Sequence, residues 1–184
     1  MKFIFIILMS YLVFGCSKAT SQSHDSNSPP RIDAGQGPLA LGQAIPDWNL
    51  KEWANSKILK QEDLKNKVVF VRFWTNTCPY CAASLPAIQK LTKKFTGQAV
   101  IFIGIYHSKP YGSEHSWQSA VNKANEYGVT FPIAYDRGWK TLKKWWLDNN
   151  KNAGATSVSF LFGKDGKLKY IHPGPEFHPP DGRG

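Results

Sequence analysis

The chain has 184 residues, of which 42% are hydrophobic and 14% aromatic, with seven tryptophans among them. That length favours one domain, and the apolar content is sufficient for a sizeable core. The formal charge of +10 comes from residues spread along the chain rather than from one basic run, which is typical of a solvated basic surface. Three cysteines are too few for a small fold stapled by several disulfides.

The first sixteen residues have the pattern of an export signal. Lys2 precedes an apolar stretch at 3–14, which ends at Gly15 and Cys16. About a dozen apolar residues are too few for a finished membrane span, which needs about 20, but they suit a secretory signal. A cysteine directly after the small residue resembles a bacterial lipobox, which implies cleavage before Cys16 and lipidation of its thiol. An ordinary secretory signal that contains a cysteine is the alternative.

Residues 16–38 are rich in serine, proline, glycine and glutamine, a composition typical of a flexible tether. We therefore expect a signal peptide at 1–15, a tether at 16–38 and one domain at 39–184, exported and attached to a membrane through Cys16. Export would place the domain where disulfide chemistry is permitted. It also argues against nucleic acid as a partner.

Beyond residue 39 the chain alternates between strand-like and helix-like patterns. Runs of β-branched and aromatic residues predict strands at 42–50, 58–59, 68–74, 100–106, 131–135, 158–162 and 168–172. Apolar residues three and four apart predict helices at 79–95, 113–127 and 139–149. Turns are expected at 61–66 and 163–166. Ser113 is the predicted N-cap of the second helix, and Pro86 is expected to kink the first. The order predicts an α/β fold with right-handed parallel crossovers.

Cys78 and Cys81 form a C-x-x-C sequence between a predicted buried strand and a predicted helix. A helix that begins near Cys78 places unpaired backbone N–H groups beside its sulfur, and their partial positive charge favours the thiolate. Pro79 suits the first helical turn, where its missing N–H costs nothing. Cys81, one turn later on the same side, can reach the first sulfur. We predict that Cys78 is the exposed attacking sulfur and that Cys81 is the buried resolving one.

A C-x-x-C sequence can also be half of a structural zinc site, which needs four ligands. The chain has no second C-x-x-C and no H-x-x-x-H sequence. If Cys16 is lipidated, the two thiols of this motif are the only ones left in the mature chain. We therefore interpret Cys78 and Cys81 as a redox-active disulfide pair, and we expect no organic cofactor and no bound metal.

Several segments together carry a family likeness. They are G-x-x-x-P-D-W-x-L at 42–50, K-V-V-x-x-x-F-W-x-x-x-C-P-x-C at 67–81, Pro86 five residues after the second cysteine, and F-L-F-x-x-D-G-K at 160–167. Over about residues 40–172 the chain resembles the thioredoxin-like fold and, within it, the membrane-tethered TlpA/ResA-type thiol–disulfide oxidoreductases and the related redoxin (AhpC/TSA) group. The resemblance implies a central mixed β-sheet with flanking helices and an N-terminal β extension.

The chain departs from this family around the cysteines. Ser157 stands where the family places a cis-proline, so we expect a trans bond after Thr156, since a cis bond without proline costs about 3 kcal/mol. The acid that often follows the second cysteine is Ser84 here. The buried acid of the central strand is replaced by Arg72, whose charge would favour the Cys78 thiolate and make the disulfide a stronger oxidant. Alternatively, its guanidinium extends away to a carboxylate or a carbonyl.

Two further expectations concern the surroundings of the site. Trp74 and Tyr80 are predicted to form an apolar rim beside the sulfurs. The segment 173–184 is too rich in proline and glycine for the C-terminal helix that the family usually adds, so that helix is expected to be missing.

Histidines suggest a different function. His107 follows the strand at 100–106, at the sheet edge where ligands collect in α/β folds, and with Cys78 and Cys81 it would suit Cu(I) or Zn(II). Copper-delivering relatives of the fold use such a set, which implies a metallochaperone as the alternative. Exposed loop histidines, at 107, 172 and 178, are the simpler interpretation.

We predict an envelope thiol–disulfide oxidoreductase that acts on protein thiols, with a membrane electron donor or acceptor as a partner. A peroxiredoxin-like antioxidant is the second alternative, although such enzymes usually hold one lone cysteine opposite an arginine, which Arg72 does not obviously supply. The sequence does not indicate the direction of electron flow, because that depends on partners and potentials.

Overall fold

The computed structural model describes residues 39–113, 116–148, 150 and 153–174. The strands are β1 (Trp53–Ala54), β2 (Val68–Trp74), β3 (Val100–Tyr106), β4 (Ile133–Tyr135), β5 (Val158–Phe162) and β6 (Leu168–Pro173). The α-helices are α1 (Gln61–Leu64), α2 (Pro79–Lys94), α3 (Trp117–Glu126) and α4 (Lys140–Leu142). A 3-10 turn at Arg137–Trp139 precedes α4, and a π-helical turn at Lys143–Leu147 continues it.

These strands form a mixed sheet in the order β1-β4-β3-β2-β5-β6. Strands β2, β3 and β4 run parallel, whereas β1, β5 and β6 pair antiparallel with their neighbours. β2 lies at the centre, and its residues 71–74 are all buried. A strand covered on both faces has a nearly continuous apolar sequence, which is why this strand could be predicted. The strands predicted at 68–74 and 100–106 are both confirmed.

The two faces of the sheet carry separate aromatic cores. On one face the indole of Trp145 meets the rings of Phe73, Phe160 and Phe162 edge-on, with centroids 6.0, 5.5 and 5.8 Å away. On the other face Trp74 packs on Tyr106 at 5.2 Å, in a cluster with residues of α2 and α3. Burying a large apolar side chain contributes about 1.5–3 kcal/mol, so these rings are a main source of stability.

Gly104 permits the second core to close. A Cβ atom at this position would lie 3.1 Å from Ile133 Cγ2 and 3.2 Å from the indole nitrogen of Trp74. Both contacts are tighter than ordinary packing. A larger residue at 104 would therefore displace the Trp74 indole or the Ile133 side chain from its place in this core.

The predicted strand at 42–50 is wrong. Ala44 forms one isolated antiparallel bridge with Lys167, and flanking backbone hydrogen bonds join this segment to the β5–β6 hairpin. Gly42, at φ +84°, and Pro46 limit the pairing to this short stretch. The N-terminal β extension is instead β1, which pairs with β4 at the other edge of the sheet.

The segment between β1 and β2 also differs from the prediction. Residues 58–59 form no strand, and the carbonyl of Leu59 accepts a hydrogen bond from the Trp48 indole at 3.2 Å. Residues 61–66, predicted as a turn, contain the single helical turn α1. β4 is likewise shorter than the strand predicted at 131–135.

Two helices begin or end differently from the prediction. α3 begins at Trp117 because Ser116, not Ser113, is its N-cap and accepts the N–H of Ser119 at 3.1 Å. The helix predicted at 139–149 is α-helical only over α4 and ends as a π turn at Leu147. Pro86 lies inside α2, and the kink at this proline stays a prediction.

Several predictions concern residues that the structure does not describe. The signal peptide, the tether, Cys16, and the segment 175–184 with His178 all lie outside the described ranges. Within those ranges, no helix is both long enough and apolar enough to cross a bilayer.

Candidate active site

The start of α2 places Cys78 at the carboxyl end of the central strand. β2 ends at Trp74, residues 75–77 form a short loop, and Cys78 is the N-cap of α2, with Pro79 at the first helical position. Cys78 has extended backbone angles (φ −92°, ψ 118°), and its side chain makes no capping hydrogen bond. The positive end of the helix dipole therefore lies beside a sulfur that is not engaged by the backbone, as predicted.

The two cysteines differ in exposure. Cys81 is fully buried, whereas Cys78 is partly exposed, and both are free thiols in this structure. Burial is the main cause that raises the pKa of the Cys81 thiol to about 11, and its hydrogen-bonded neighbour Cys78 raises it further, against the backbone of Thr75 and the charge of Arg72. Cys81 is therefore a protonated thiol at neutral pH.

Arg72 lies fully buried in the central strand, directly before Phe73. Its Nη1 donates to Ser159 Oγ and to the carbonyl of Gly174, both at 3.1 Å. Burial lowers its pKa to about 10, and the nearby Cys81 and Cys78 oppose that shift. The guanidinium is thus cationic at neutral pH. The sequence left two alternatives, a charge that acts on the sulfurs or a guanidinium that bonds a carbonyl elsewhere. Arg72 does both, since it bonds the Gly174 carbonyl and its charge still acts on both sulfurs.

A cleft of about 590 Å³ opens beside Cys78. We call residues 75–80 its helix side and residues 109–110 and 155–157 its loop side. The lining residues are Thr75, Thr77, Cys78, Pro79, Tyr80, Lys109, Pro110, Ala155, Thr156 and Ser157. Clefts of this size suit small ligands or a few residues of a peptide.

The loop side carries the clearest departure from the family. The bond between Thr156 and Ser157 is trans, as predicted, and the cis bond recorded among the described residues is Lys109–Pro110. Ser157 is buried, with 4% of its surface exposed. The structure therefore brings Thr156 and Ser157 to the same cleft as Cys78, where the family resemblance placed them.

His107 is buried rather than exposed, which corrects the interpretation of a solvated loop histidine. Its ring meets Trp139 edge-on at 4.9 Å. Burial lowers its pKa to about 4, and the charges of Lys109 and Arg72 lower it too, while backbone groups of Ser108 and Thr156 oppose this. The imidazole is neutral at neutral pH.

The structure gives no support to a metal site at the cysteines. Within the described ranges, no group of three or more histidine, cysteine, aspartate or glutamate side chains is arranged to hold a metal ion. His107, Cys78 and Cys81 therefore do not form the predicted alternative ligand set. His172 lies in strand β6, in register with Ser159, and not in a loop.

Around the motif the structure corrects the prediction for Trp74, agrees with it for Tyr80 and adds Lys109. Trp74 is fully buried in the same cluster as Cys81, so it lies beneath the site and not on its rim. Tyr80 does line the cleft, with 48% of its surface exposed. Ser84, in the place of the family's acid, is buried with 2% exposure. Lys109 was missed, although it follows His107 at the sheet edge that the sequence had already indicated.

A mixed sheet with a C-x-x-C pair between its central parallel strand and the following helix defines a thioredoxin-like fold. The solved structure of a thiol-disulfide isomerase from Corynebacterium glutamicum matches 71% of this chain and 85% of its own length, with a TM-score of 0.61 and 24% identity. At that identity the match shows the fold alone. The family model described as the AhpC/TSA family matches residues 41–171, and the chain belongs to this family.

Curated relatives narrow the class. The chain is 28% identical over 130 residues to the thiol-disulfide oxidoreductase ResA of Bacillus thuringiensis (strain Al Hakam), covering 71% of this chain and 68% of that protein. It is also 28% identical over 133 residues to the thioredoxin-like protein YneN of Bacillus subtilis (strain 168), covering 72% and 71%. The predicted ResA-type relationship is confirmed, and the chain is assigned to the thioredoxin-like thiol–disulfide oxidoreductases.

Proposed function

We propose that this enzyme exchanges disulfides with proteins of the cell envelope through Cys78 and Cys81. The observation that carries the proposal is the asymmetry of the two sulfurs. Cys78 is partly exposed at the N-terminus of α2 and lines the cleft, whereas Cys81 is fully buried and hydrogen-bonded to it. One sulfur can meet a substrate while the other is shielded from it, as stepwise exchange requires.

In the reducing direction, the Cys78 thiolate attacks one sulfur of a substrate disulfide. A Cys78–substrate bond forms, the substrate S–S bond breaks, and the second substrate sulfur leaves as a thiolate that takes up a proton. Cys81 then loses its proton and attacks the Cys78 sulfur, which releases the first substrate cysteine. The enzyme pair loses two electrons and the substrate gains them. The reverse sequence oxidises a substrate dithiol.

The charges around the pair act on the reduced form. The helix N-terminus and the buried Arg72 cation both stabilise a thiolate at Cys78, and neither stabilises the neutral disulfide. Stabilising the reduced form makes the disulfide a stronger oxidant. Cys81, with a pKa near 11, must lose its proton in the resolving step. Since Ser84 replaces the family's acid, that proton passes to the departing sulfur or to water.

The envelope location and the membrane anchor belong to the same proposal. They are supported by the export pattern of residues 1–16 and by the polar composition of 16–38. Lipidation of Cys16 predicts incorporation of labelled palmitate in cells, and Cys16→Ala should abolish it. Persistent labelling in that variant would exclude Cys16 as the lipidated residue.

The exchange reaction is tested by trapping. Cys81→Ser leaves the mixed disulfide on Cys78 unresolved, so incubating the reduced variant with insulin should give a covalent adduct on a non-reducing gel that dithiothreitol removes. The double variant Cys78→Ser/Cys81→Ser is the control and should give none. Absence of an adduct with Cys81→Ser, while the variant keeps the wild-type circular dichroism spectrum, would exclude Cys78 as the attacking sulfur.

A further inference from the structure

The cleft beside Cys78 has a cation on its loop side, and we propose that Lys109 selects protein segments with a carboxylate next to the reacting cysteine. This inference rests on the proposed disulfide exchange, and it specifies the substrate class. Lys109 and Cys78 line the same cleft. A substrate cysteine that reaches Cys78 therefore brings its neighbouring side chains within range of the lysine.

The remaining lining of the cleft makes Lys109 the main electrostatic feature. The other residues that line it are threonine, serine, proline, alanine, tyrosine and cysteine, so Lys109 is the only basic residue among them. Its amine makes no ion pair with any residue in the described part of the chain. An incoming carboxylate would thus find a lysine whose charge no described acid neutralises.

Other cations near the cleft add to the positive charge of Lys109. The charges of both Lys109 and Arg72 act on the buried His107. Tyr111 is two residues after Lys109, and Lys143 Nζ lies 4.1 Å from the centroid of its ring. The carboxylate of Asp136 is buried, and its two oxygens accept the N–H groups of Thr141 and Leu142 at 2.9 and 2.8 Å instead of pairing with a described lysine. Like charges on a substrate would be repelled here.

The occupant that suits this cleft is a protein segment. Tyr80 is an exposed aromatic side chain beside Cys78, the type of residue that anchors peptide contacts. The volume of about 590 Å³ accommodates a cysteine with its flanking residues. Exposed ion pairs are weak and salt-sensitive, so the lysine should tune the rate rather than decide whether binding occurs.

The test uses cysteine peptides activated as neutral 2-pyridyl disulfides, with the reduced full-length enzyme. Attack of the Cys78 thiolate on the peptide sulfur forms the enzyme–peptide disulfide, breaks the peptide–pyridyl bond and releases 2-thiopyridone, which is followed by absorbance. Two peptides differ only in having Glu or Gln directly after the cysteine. The wild-type enzyme should react about two- to fivefold faster with the Glu peptide at low salt, and this preference should shrink in 0.5 M NaCl, a condition that we choose because it screens exposed charges.

Three variants test whether the preference for the Glu peptide comes from Lys109. Lys109→Gln should bring the ratio of Glu to Gln rates to about one, and Lys109→Arg should keep the preference. Lys90→Gln is the matched control, because it removes an exposed lysine from α2 that does not line the cleft, and the ratio should stay at the wild-type value. Equal rates for both peptides in the wild type, or a ratio that survives Lys109→Gln, would overturn the inference.

The outcomes separate this inference from the proposed function. If no peptide releases thiopyridone faster with the wild type than with Cys78→Ser, the disulfide exchange itself fails. If the Gln peptide reacts in a Cys78-dependent manner but Glu gives no advantage, only the selectivity fails. If glutathione activated as the same 2-pyridyl disulfide reacts as fast as the Glu peptide and with the same dependence on Lys109, the cleft takes small acidic disulfides, and the assignment to protein segments is wrong.

Discussion

The helix side and the loop side of the cleft differ in what they contribute. The helix side supplies the sulfurs, and it follows the family pattern closely, from the end of β2 through Cys78 and Pro79 into α2. The loop side, with Ser157 in place of the proline and with Lys109 beside it, departs from that pattern. The comparison suggests that the chemistry is fixed by a helix and a strand, whereas the choice of substrate is left to loops.

The loop side is nevertheless held firmly, by tryptophans of a single segment. The indole of Trp139 donates to the carbonyl of Ser108 at 2.6 Å, next to Lys109. The indole of Trp146 donates to the carbonyl of Ala155 at 2.8 Å, next to Thr156. The helical segment on one face of the sheet thus fixes both loops of the cleft. This arrangement explains why loop residues can keep a defined position relative to the sulfurs.

The largest effect is expected on the helix side. Cys78→Ser should abolish insulin reduction, because no other described thiol is exposed, whereas Ser157→Ala on the loop side should leave measurable activity. Insulin turbidity in the presence of dithiothreitol measures both. Activity of Cys78→Ser above the background of dithiothreitol alone would contradict the assignment of the chemistry to the helix side.

The next prediction concerns pH and the buried His107. Its folded-state pKa of about 4 lies below the ordinary value of 6.5, so between these values the unfolded chain binds a proton that the folded protein excludes. Stability should therefore fall as the pH falls through this window, by about 2 kcal/mol between pH 7 and pH 5. Urea unfolding of the wild type and of His107→Phe at both pH values isolates this contribution. The same pH dependence in both proteins would mean that His107 is protonated without cost in the folded state.

A smaller effect is expected when the cation beneath the helix side is removed. Arg72→Met should make the reduction potential more negative by about 30 mV, equivalent to about 1.4 kcal/mol, because the reduced form loses a stabilising charge. Arg72→Lys keeps the cation and should move the potential less. Potentials measured against glutathione that do not change in Arg72→Met would show that the guanidinium is only structural.

The smallest effect is expected when a tryptophan that holds the loop side is changed. Trp146→Phe removes one indole hydrogen bond while keeping an aromatic ring, and it should lower the free energy of unfolding by about 1 kcal/mol. The rate with insulin should fall more than the rate with a small disulfide, because the peptide must contact the loop at 155–157. Equal losses for both substrates would indicate that Trp146 stabilises the fold without shaping the cleft.

The sequence predicted the features that depend on local pattern. The buried strands at 68–74 and 100–106, the start of α2 and the relative burial of Cys78 and Cys81 all follow from residue types and spacing, and the structure has them. Where the sequence misled about the start of a helix, residue type alone did not decide the outcome. Ser116 rather than Ser113 caps α3, a choice between two serines of equal propensity.

The loop side was harder to predict because its parts are distant in sequence. Lys109 and Thr156 meet in one cleft only through the sheet order, and no spacing along the chain relates them. The burial of His107 likewise depends on Trp139, 32 residues away in the sequence, which covers its ring. The family resemblance pointed to Ser157, whereas the lysine had as its only local signal its place just after β3, at the edge of the sheet where ligands collect.

If Cys78 and Cys81 form a reversible redox pair, that pair has a measurable reduction potential. The protein is equilibrated in glutathione buffers, quenched with a thiol-alkylating reagent and analysed by mass spectrometry. We expect one two-electron couple between about −270 mV, the value of a thioredoxin-type reductant, and about −120 mV, that of a strong oxidant. Values near the upper end would also support the role given to Arg72. A pair that never forms a disulfide, or one with a potential below about −300 mV as in structural disulfides, would contradict a reversible redox role for Cys78 and Cys81.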